Sequence, residues 1–298
     1  MRHKLTTRLN TWRFNSICCG ILNTTPLRTK YAPLIFVSMV SHKDLQGYLL
    51  AIKSIYRYFM EGRIIVINDG TLTNNDLELI RIHVDNPNII HVATIDTGPC
   101  PQGGCWERLT LITKLTQSDY VIQVDSDLLA IESISEVVEA YQRNIAFTQS
   151  GSLDSTLCNL EQASLYAETQ PGQHMQTISE RVLQAIKPPF GQRYTRGSAG
   201  FAGFPRGLNR HFLLQTFSEQ MVKLVGLEIW SKWGSEQVSA NYIIANCPEV
   251  ILLDAKRYSI HWKGREKEAA SLIHFVGMFR YSFGTYIRYG ERVILELV

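Results

Sequence analysis

The chain has 298 residues, of which 45% are hydrophobic; this suits a globular protein with a sizeable core, built as one large α/β domain or two small ones. A net charge of +3 makes no demand for nucleic acid, and no uninterrupted apolar stretch is long enough for a transmembrane helix. The six cysteines are irregularly spaced in a chain too large to need disulfide staples, so a reducing compartment is expected, with Cys100 and Cys105 as loop thiols.

From Met1 to Lys43 there is no Asp or Glu, whereas Arg2, Lys4, Arg8, Arg13, Arg28, Lys30 and Lys43 are basic. Leu5, Leu9 and Trp12 fall at helical spacing. Residues 1–31 read as a basic N-terminal arm. Such an arm suits an anionic membrane surface, has the acid-free composition of an organellar targeting segment, and equally suits a solvated terminus. Residues 32–298 carry no low-complexity linker or internal repeat and read as one domain.

Pro33 to Val40 reads as a buried first strand, followed by a helix from Leu45 to Phe59. A second strand, Arg63 to Ile67, stops at the turn signal Asn68-Asp69-Gly70. A helix over 75–84, a strand over 88–92, a Pro/Gly loop over 99–104 and a helix over 106–115 come next. A strand from Tyr120 runs to Asp127. A helix over 134–141 and a strand over 145–148 precede a polar stretch, 150–195, with helical patches near 160–168 and 178–186. Arg196 to Pro205 is a glycine-spaced strand, where glycine marks a bulge or a close backbone approach. Helices over 208–225 and 236–245 and a strand over 250–253 complete the pattern. Strands alternating with helices imply right-handed crossovers and a mixed, mostly parallel sheet flanked by helices.

The central stretch is Tyr120-Val-Ile-Gln-Val-Asp125-Ser126-Asp127. An apolar run ends in two carboxylates, and residues at i and i+2 of an extended chain share a side. The carboxyl end of such a strand is where an open α/β sheet binds its ligand. Hard cations such as Mg²⁺ and Mn²⁺ take carboxylate oxygens together with substrate phosphates. Taken alone, the pair equally well terminates a strand and caps the next turn.

Four further motifs stand in order around it. Val66 to Thr71 holds Asp69 in a strand-end Asp-Gly pair. Arg108 lies one helix before the aspartates. Ser198-Ala199-Gly200-Phe201 is followed by Glu236-Gln237 with Asn241, and the chain closes with His274-Phe275-Val276-Gly277-Met278-Phe279-Arg280. Together these resemble a nucleotide-sugar glycosyltransferase of the metal-dependent, Rossmann-like type A, and most closely the retaining family 8, which includes glycogenin and lipopolysaccharide galactosyltransferases. The resemblance covers most of residues 33–280. It implies a single nucleotide-diphospho-sugar transferase domain over 32–298. Asp125, Asp127 and His274 are then metal ligands for Mn²⁺ or Mg²⁺. Ser38, Asp69, Arg108, Ser126, Ser198, Gly277 and Arg280 join the two aspartates in binding the donor, first of all a UDP-sugar. Gln237, Glu236 and Arg280 form the catalytic set, Gln237 near the anomeric carbon and Arg280 on the diphosphate. His261 has no motif around it and reads as a packing residue.

Five departures from the family pattern are visible: Ser198 replaces asparagine, Glu236 replaces aspartate, Arg280 stands at the lysine position, and Tyr281-Ser282 replace Pro-Trp. The resemblance implies transfer to a hydroxyl of a saccharide, lipid-linked glycan or protein with retained configuration. The cysteine pattern and the basic arm point to a cytoplasmic location, with peripheral contact at the inner membrane surface through residues 1–31, and the charge balance to no nucleic acid. A non-catalytic nucleotide-sugar-binding protein and a metal-dependent nucleotidyltransferase are the alternatives. The second lacks the glycine-rich loop its class carries after the first strand, where this chain reads Ser38 to Lys43.

Overall fold

The computed structural model describes residues 2–151, 155–187, 191–207, 209–261 and 270–298, without the side chains of 2–8 and Met278. Leu208, Trp262 and Lys263, and parts of the 150–195 stretch, lie outside the described residues.

The chain opens with helix α1 (Arg2–Cys18), then β1 (Leu34–Val40), α2 (Leu45–Tyr56), β2 (Arg63–Asn68), α3 (Asn74–His83) and β3 (Asn88–His91). Next come α4 (Trp106–Leu115), β4 (Tyr120–Val124), β5 (Leu128–Ala130), α5 (Ser135–Gln142) and β6 (Ala146–Ser150). The ribbon strand β7 (Cys158–Asn159), α6 (Leu160–Thr169), α7 (Met175–Glu180) and β8 (Arg193–Tyr194) fill the polar stretch. The chain ends with β9 (Gly197–Phe204), α8 (Arg210–Val225), α9 (Leu227–Trp230), α10 (Ser235–Ala245), β10 (Val250–Leu253), β11 (Tyr258–Ile260), β12 (Leu272–His274) and α11 (Thr285–Glu296).

Seven strands form the main sheet in the order β10-β6-β9-β4-β1-β2-β3. The pairs β1–β2, β2–β3 and β10–β6 are parallel, and β6–β9 is antiparallel. This is the mixed, mostly parallel sheet flanked by helices that the alternating pattern implied. Every residue of β4 is buried, as is most of β1, the apolar density of strands covered on both faces. Contacts divide the chain into two units, one of residues 1–91, 124–138 and 254–298, the other of 92–123 and 139–253.

In the first unit, the strand read as running to Asp127 stops at Val124. The chain turns, with Leu128 N–H donating to Asp125 O at 3.4 Å, and re-enters as β5. A second sheet, β11-β12-β5, then brings the C-terminal strand β12 antiparallel to β5. Helix α3 starts on a capping box, Thr73 and Asp76 bonding each other's backbone N–H.

Residues 9–24 are built into this unit. The inward face of α1 among the described side chains is Asn10, Phe14 and Cys18, while Leu9 and Trp12, of the apolar line read at helical spacing, are 53% and 67% exposed. Phe14 lies 4.0 Å from Tyr286 and 5.3 Å from Tyr281 between ring centroids, and Asn10 Nδ2 donates to Tyr281 O at 2.8 Å. The segment after α1 is pinned by Lys53, which is fully buried and donates to Thr24 Oγ1 at 2.7 Å and Thr25 O at 2.8 Å. Burial pushes its ammonium down to about 8.

In the second unit, the glycines of β9 answer to a neighbouring strand. A Cβ at Gly197 would collide with Thr148 Oγ1, and one at Gly203 with Phe147. The β6–β9 register shifts between Thr148 and Gln149, a bulge in the position the glycine spacing foretold.

Because Phe14 is packed on aromatic rings rather than solvated, Phe14→Ala is expected to destabilise the protein by about 3 kcal/mol. Urea unfolding measures this, and an unchanged midpoint would mean that α1 is a dispensable tail.

Candidate functional site

The turn between β4 and β5 sets the geometry of the first cluster. His274 is the last residue of β12 and stands opposite Leu128, while Phe275 N–H donates to Asp127 O at 2.9 Å. Backbone pairing alone therefore carries the imidazole to the two aspartates. His274 Nε2 lies 3.1 Å from Asp127 Oδ1 and 3.9 Å from Asp125 Oδ2, and one ligand atom from each of the three falls within 4.8 Å of the others.

Arg280 closes the cluster. Its Nη2 donates to Asp127 Oδ2 and its Nη1 to Asp44 Oδ1, both at 2.7 Å, and Nε donates to Phe275 O at 3.3 Å. Asp44 is oriented in turn by Ser41, whose Oγ donates to its other oxygen at 2.7 Å. Burial opposes ionisation of Asp127, but His274 and Arg280 outweigh it and hold the carboxyl below its ordinary range. Burial likewise opposes the imidazolium of His274; Asp127 and Asp125 outweigh it and raise its pKa. Asp127 above all raises that of Arg280 against burial.

Three carboxylates against one guanidinium leave the cluster negative, and it draws a neighbouring imidazole toward its charged form. Two carboxylates and an imidazole in such a field fit a divalent cation of the Mn²⁺ or Mg²⁺ kind. A cavity of about 530 Å³ opens beside it, lined by Asp44, Gly47, Ser126, Arg280, Trp12 and Asn15 among others.

The second unit holds the other predicted residues. Arg108 and Glu236 are both buried, with Arg108 Nη2 donating to Glu236 Oε1 at 3.2 Å. Trp106 Nε1 donates to Ser235 Oγ at 2.8 Å, so the starts of α4 and α10 are pinned twice. Gln237 is half-buried; its Oε1 accepts from Ala199 N–H at 3.4 Å and its Nε2 donates to Gln176 Oε1 at 3.2 Å. Asn241 brackets Gly197, accepting from its N–H at 3.2 Å and donating to its O at 3.1 Å. Ser198 Oγ accepts from Gly200 N–H at 3.3 Å.

The remaining predicted residues have local roles on the page. Asp69 Oδ1 accepts from Thr71 N–H at 2.9 Å and Thr71 Oγ1 at 2.6 Å, the bonds of a turn. Ser38 is buried in β1, and its Oγ has no partner among the described residues. Gly277 has φ 53°, a left-handed bend opening the turn to Arg280. His261 packs on Phe275, ring centroids 5.2 Å apart, outside the triad. Sequence reasoning missed Asp44, Gln176 and Glu180. Asp44 carried one weak signal, as the first acid after a long basic stretch.

No protein-family model and no curated protein matches the chain. Solved structures do. The galactosyltransferase LgtC, in complex with donor and acceptor sugar analogs, matches over 89% of this chain and 96% of its own with TM-score 0.53 at 13% identity. The bifunctional glycosyltransferase WbbM matches over 88% of this chain with TM-score 0.52 at 15% identity, and this chain spans 51% of WbbM. The fold is that of the type A glycosyltransferases. The likeness read from the motifs is borne out at the level of the fold. No described helix is long and apolar enough to cross a membrane.

The buried Arg108–Glu236 pair generates a stability test. Glu236→Ala removes the carboxylate from a buried guanidinium and is expected to cost about 3–5 kcal/mol, more than replacing both residues by leucine. Equal stability of wild type and Glu236→Ala in chemical denaturation would show that the pair does not hold α4 and α10.

Proposed function

We propose that this protein is a metal-dependent, retaining glycosyltransferase that moves a sugar from a nucleotide-sugar, a UDP-sugar first, to an acceptor hydroxyl. The observation that carries the reading is the triad Asp125, Asp127 and His274, gathered beside a cavity in a chain with the type A fold. These three residues would hold Mn²⁺ or Mg²⁺, which when bound supplies a Lewis acid to the departing diphosphate.

Arg280 contributes fixed positive charge at the same place. Its guanidinium is already oriented by Asp44 and Asp127, so little reorganisation accompanies the growth of negative charge on the leaving group. Donor contacts at Ser38, Asp69, Ser126 and Gly277 belong to the same reading. Gln237, held by Ala199 and Gln176, is assigned to the transferred sugar together with Ser198. Arg108, assigned to the donor, and Glu236, assigned to the catalytic set, meet as a buried pair. The resemblance is the support for retention, and no covalent intermediate is invoked.

Residues 1–31 are kept as an N-terminal arm before a catalytic domain of 32–298, with one addition: Trp12, Asn15 and Ser16 help line the cavity beside Arg280. The exposed Leu9, Trp12 and Arg13 support peripheral contact with an anionic cytoplasmic membrane surface.

Incubation with a panel of nucleotide sugars and Mn²⁺ is expected to release a nucleoside diphosphate. Excess chelator or Asp127→Ala should abolish the release while the far-UV spectrum stays native. Equal turnover in chelator sinks the metal assignment. Arg280→Ala should lower kcat by a factor corresponding to about 2.7–4 kcal/mol, with Arg280→Lys recovering much of it. An unchanged kcat would reduce Arg280 to a structural partner of Asp44.

A further inference from the structure

The segment that carries Arg280 departs from the family pattern at Tyr281 and Ser282, and helix α1 packs against it there. Asn10 Nδ2 donates to the Tyr281 carbonyl oxygen at 2.8 Å, across 271 positions of sequence. Phe14 stands 5.3 Å from the Tyr281 ring, and α1 also packs on the turn Ser282–Gly284. Asn10 and Phe14 are 8% and 4% exposed, so both belong to the interior. Asparagine is a weak helix former, because its side chain competes for backbone groups. At position 10 that side chain bonds a distant carbonyl instead and ties two segments together.

The tied turn needs such support. Phe283 has φ 61° and Gly284 φ 68°, two successive left-handed residues. A bulky side chain in that region is strained and persists where its surroundings over-determine it. A second route runs through aromatic rings. Phe14 and Phe275 each lie 4.0 Å from Tyr286 between centroids, Phe275 in a stack at 10° and Phe14 tilted at 30°. Phe275 follows His274 of the triad, and its carbonyl oxygen accepts from Arg280 Nε at 3.3 Å. Arg280 also faces the Tyr281 phenol, offsetting part of the rise that burial gives its pKa. Phe14 therefore bears on both neighbours of the guanidinium, Tyr281 and Phe275. The same helix lines the cavity beside Arg280 through Asn15 and Ser16.

We propose that α1 is a working part of the site, and that Asn10 and Phe14 are positioning residues that fix the segment from which Arg280 acts on the departing diphosphate. The inference rests on the transferase reading for the role of Arg280, and on the contacts of α1 alone for the clamp. It makes the basic arm a contributor to turnover rather than a tail.

Two measurements on the full chain test it. Asn10→Leu keeps the volume and removes the amide N–H, and circular dichroism checks its fold. Phe14→Leu, which keeps an apolar side chain and removes the ring, takes its place should Asn10→Leu not fold. In nucleoside diphosphate release with Mn²⁺ and the most active nucleotide sugar, the substitution is expected to lower kcat by about tenfold with little change in KM for the nucleotide sugar. In an Arg280→Ala background it should have almost no further effect, because a residue acting through another is not additive with it. An equal fall in both backgrounds would make the contact merely structural, and an unchanged kcat would leave α1 a tail; either overturns the proposal. Hydrogen exchange without substrate follows residues 276–286, which should exchange faster in the variant while β4 stays protected. Unchanged exchange there overturns the clamp. A wild-type chain that releases no nucleoside diphosphate loses the transferase reading, and exchange alone then decides whether α1 holds the Arg280 segment.

Discussion

Asp127 is a buried carboxylate with a partner on each oxygen, the His274 imidazole on one and the Arg280 guanidinium on the other. A charge taken out of water must be paired, and every segment of the first cluster follows from pairing this one. Arg280 spans from Asp127 to Asp44, so the loop after β1 is tied to the turn before α11. His274 reaches Asp127 because β12 pairs with β5, and β5 exists only because the chain turns at Asp125. The geometry that suits a divalent cation is thus the geometry that keeps Asp127 ionised.

The second unit relies on a different device. Several of its buried polar groups are neutral or mutually cancelling: Arg108 with Glu236, Arg196 with Glu180, and the amides Gln176, Gln237 and Asn241. Each amide is held at both ends, so side chains that would otherwise sample several rotamers are fixed by hydrogen bonds. A charged cluster suits a diphosphate and its cation, and a neutral amide lattice suits hydroxyls.

The fold was largely legible because the apolar runs are dense and punctuated. β1, β2 and β4 are near-continuous apolar stretches ended by Asn, Asp or Ser, and Thr73 with Asp76 is a written capping box. Packing added what local pattern did not carry. In α1 the apolar line read at helical spacing is exposed at Leu9 and Trp12, and the tyrosines at 281 and 286 take up Phe14 from another face. Helix α11 lies beyond the last motif residue, Arg280, and its buried Tyr286, Gly290, Val293 and Ile294 carry a helical period. Strands β11 and β12 are three residues each, too short for a periodicity to be seen.

By itself the sequence determined that Asp125 and Asp127 stand at the carboxyl end of a buried strand of a mostly parallel sheet, and that His274 and Arg280 form a spaced motif to go with them. That is readable because strand burial and short motifs are local properties of the chain. Only the tertiary structure decided that Asp44 completes the charge cluster and that residues of the basic arm line its cavity. Those facts depend on pairing between segments far apart in the chain, where local pattern carries no information about which partner will be met.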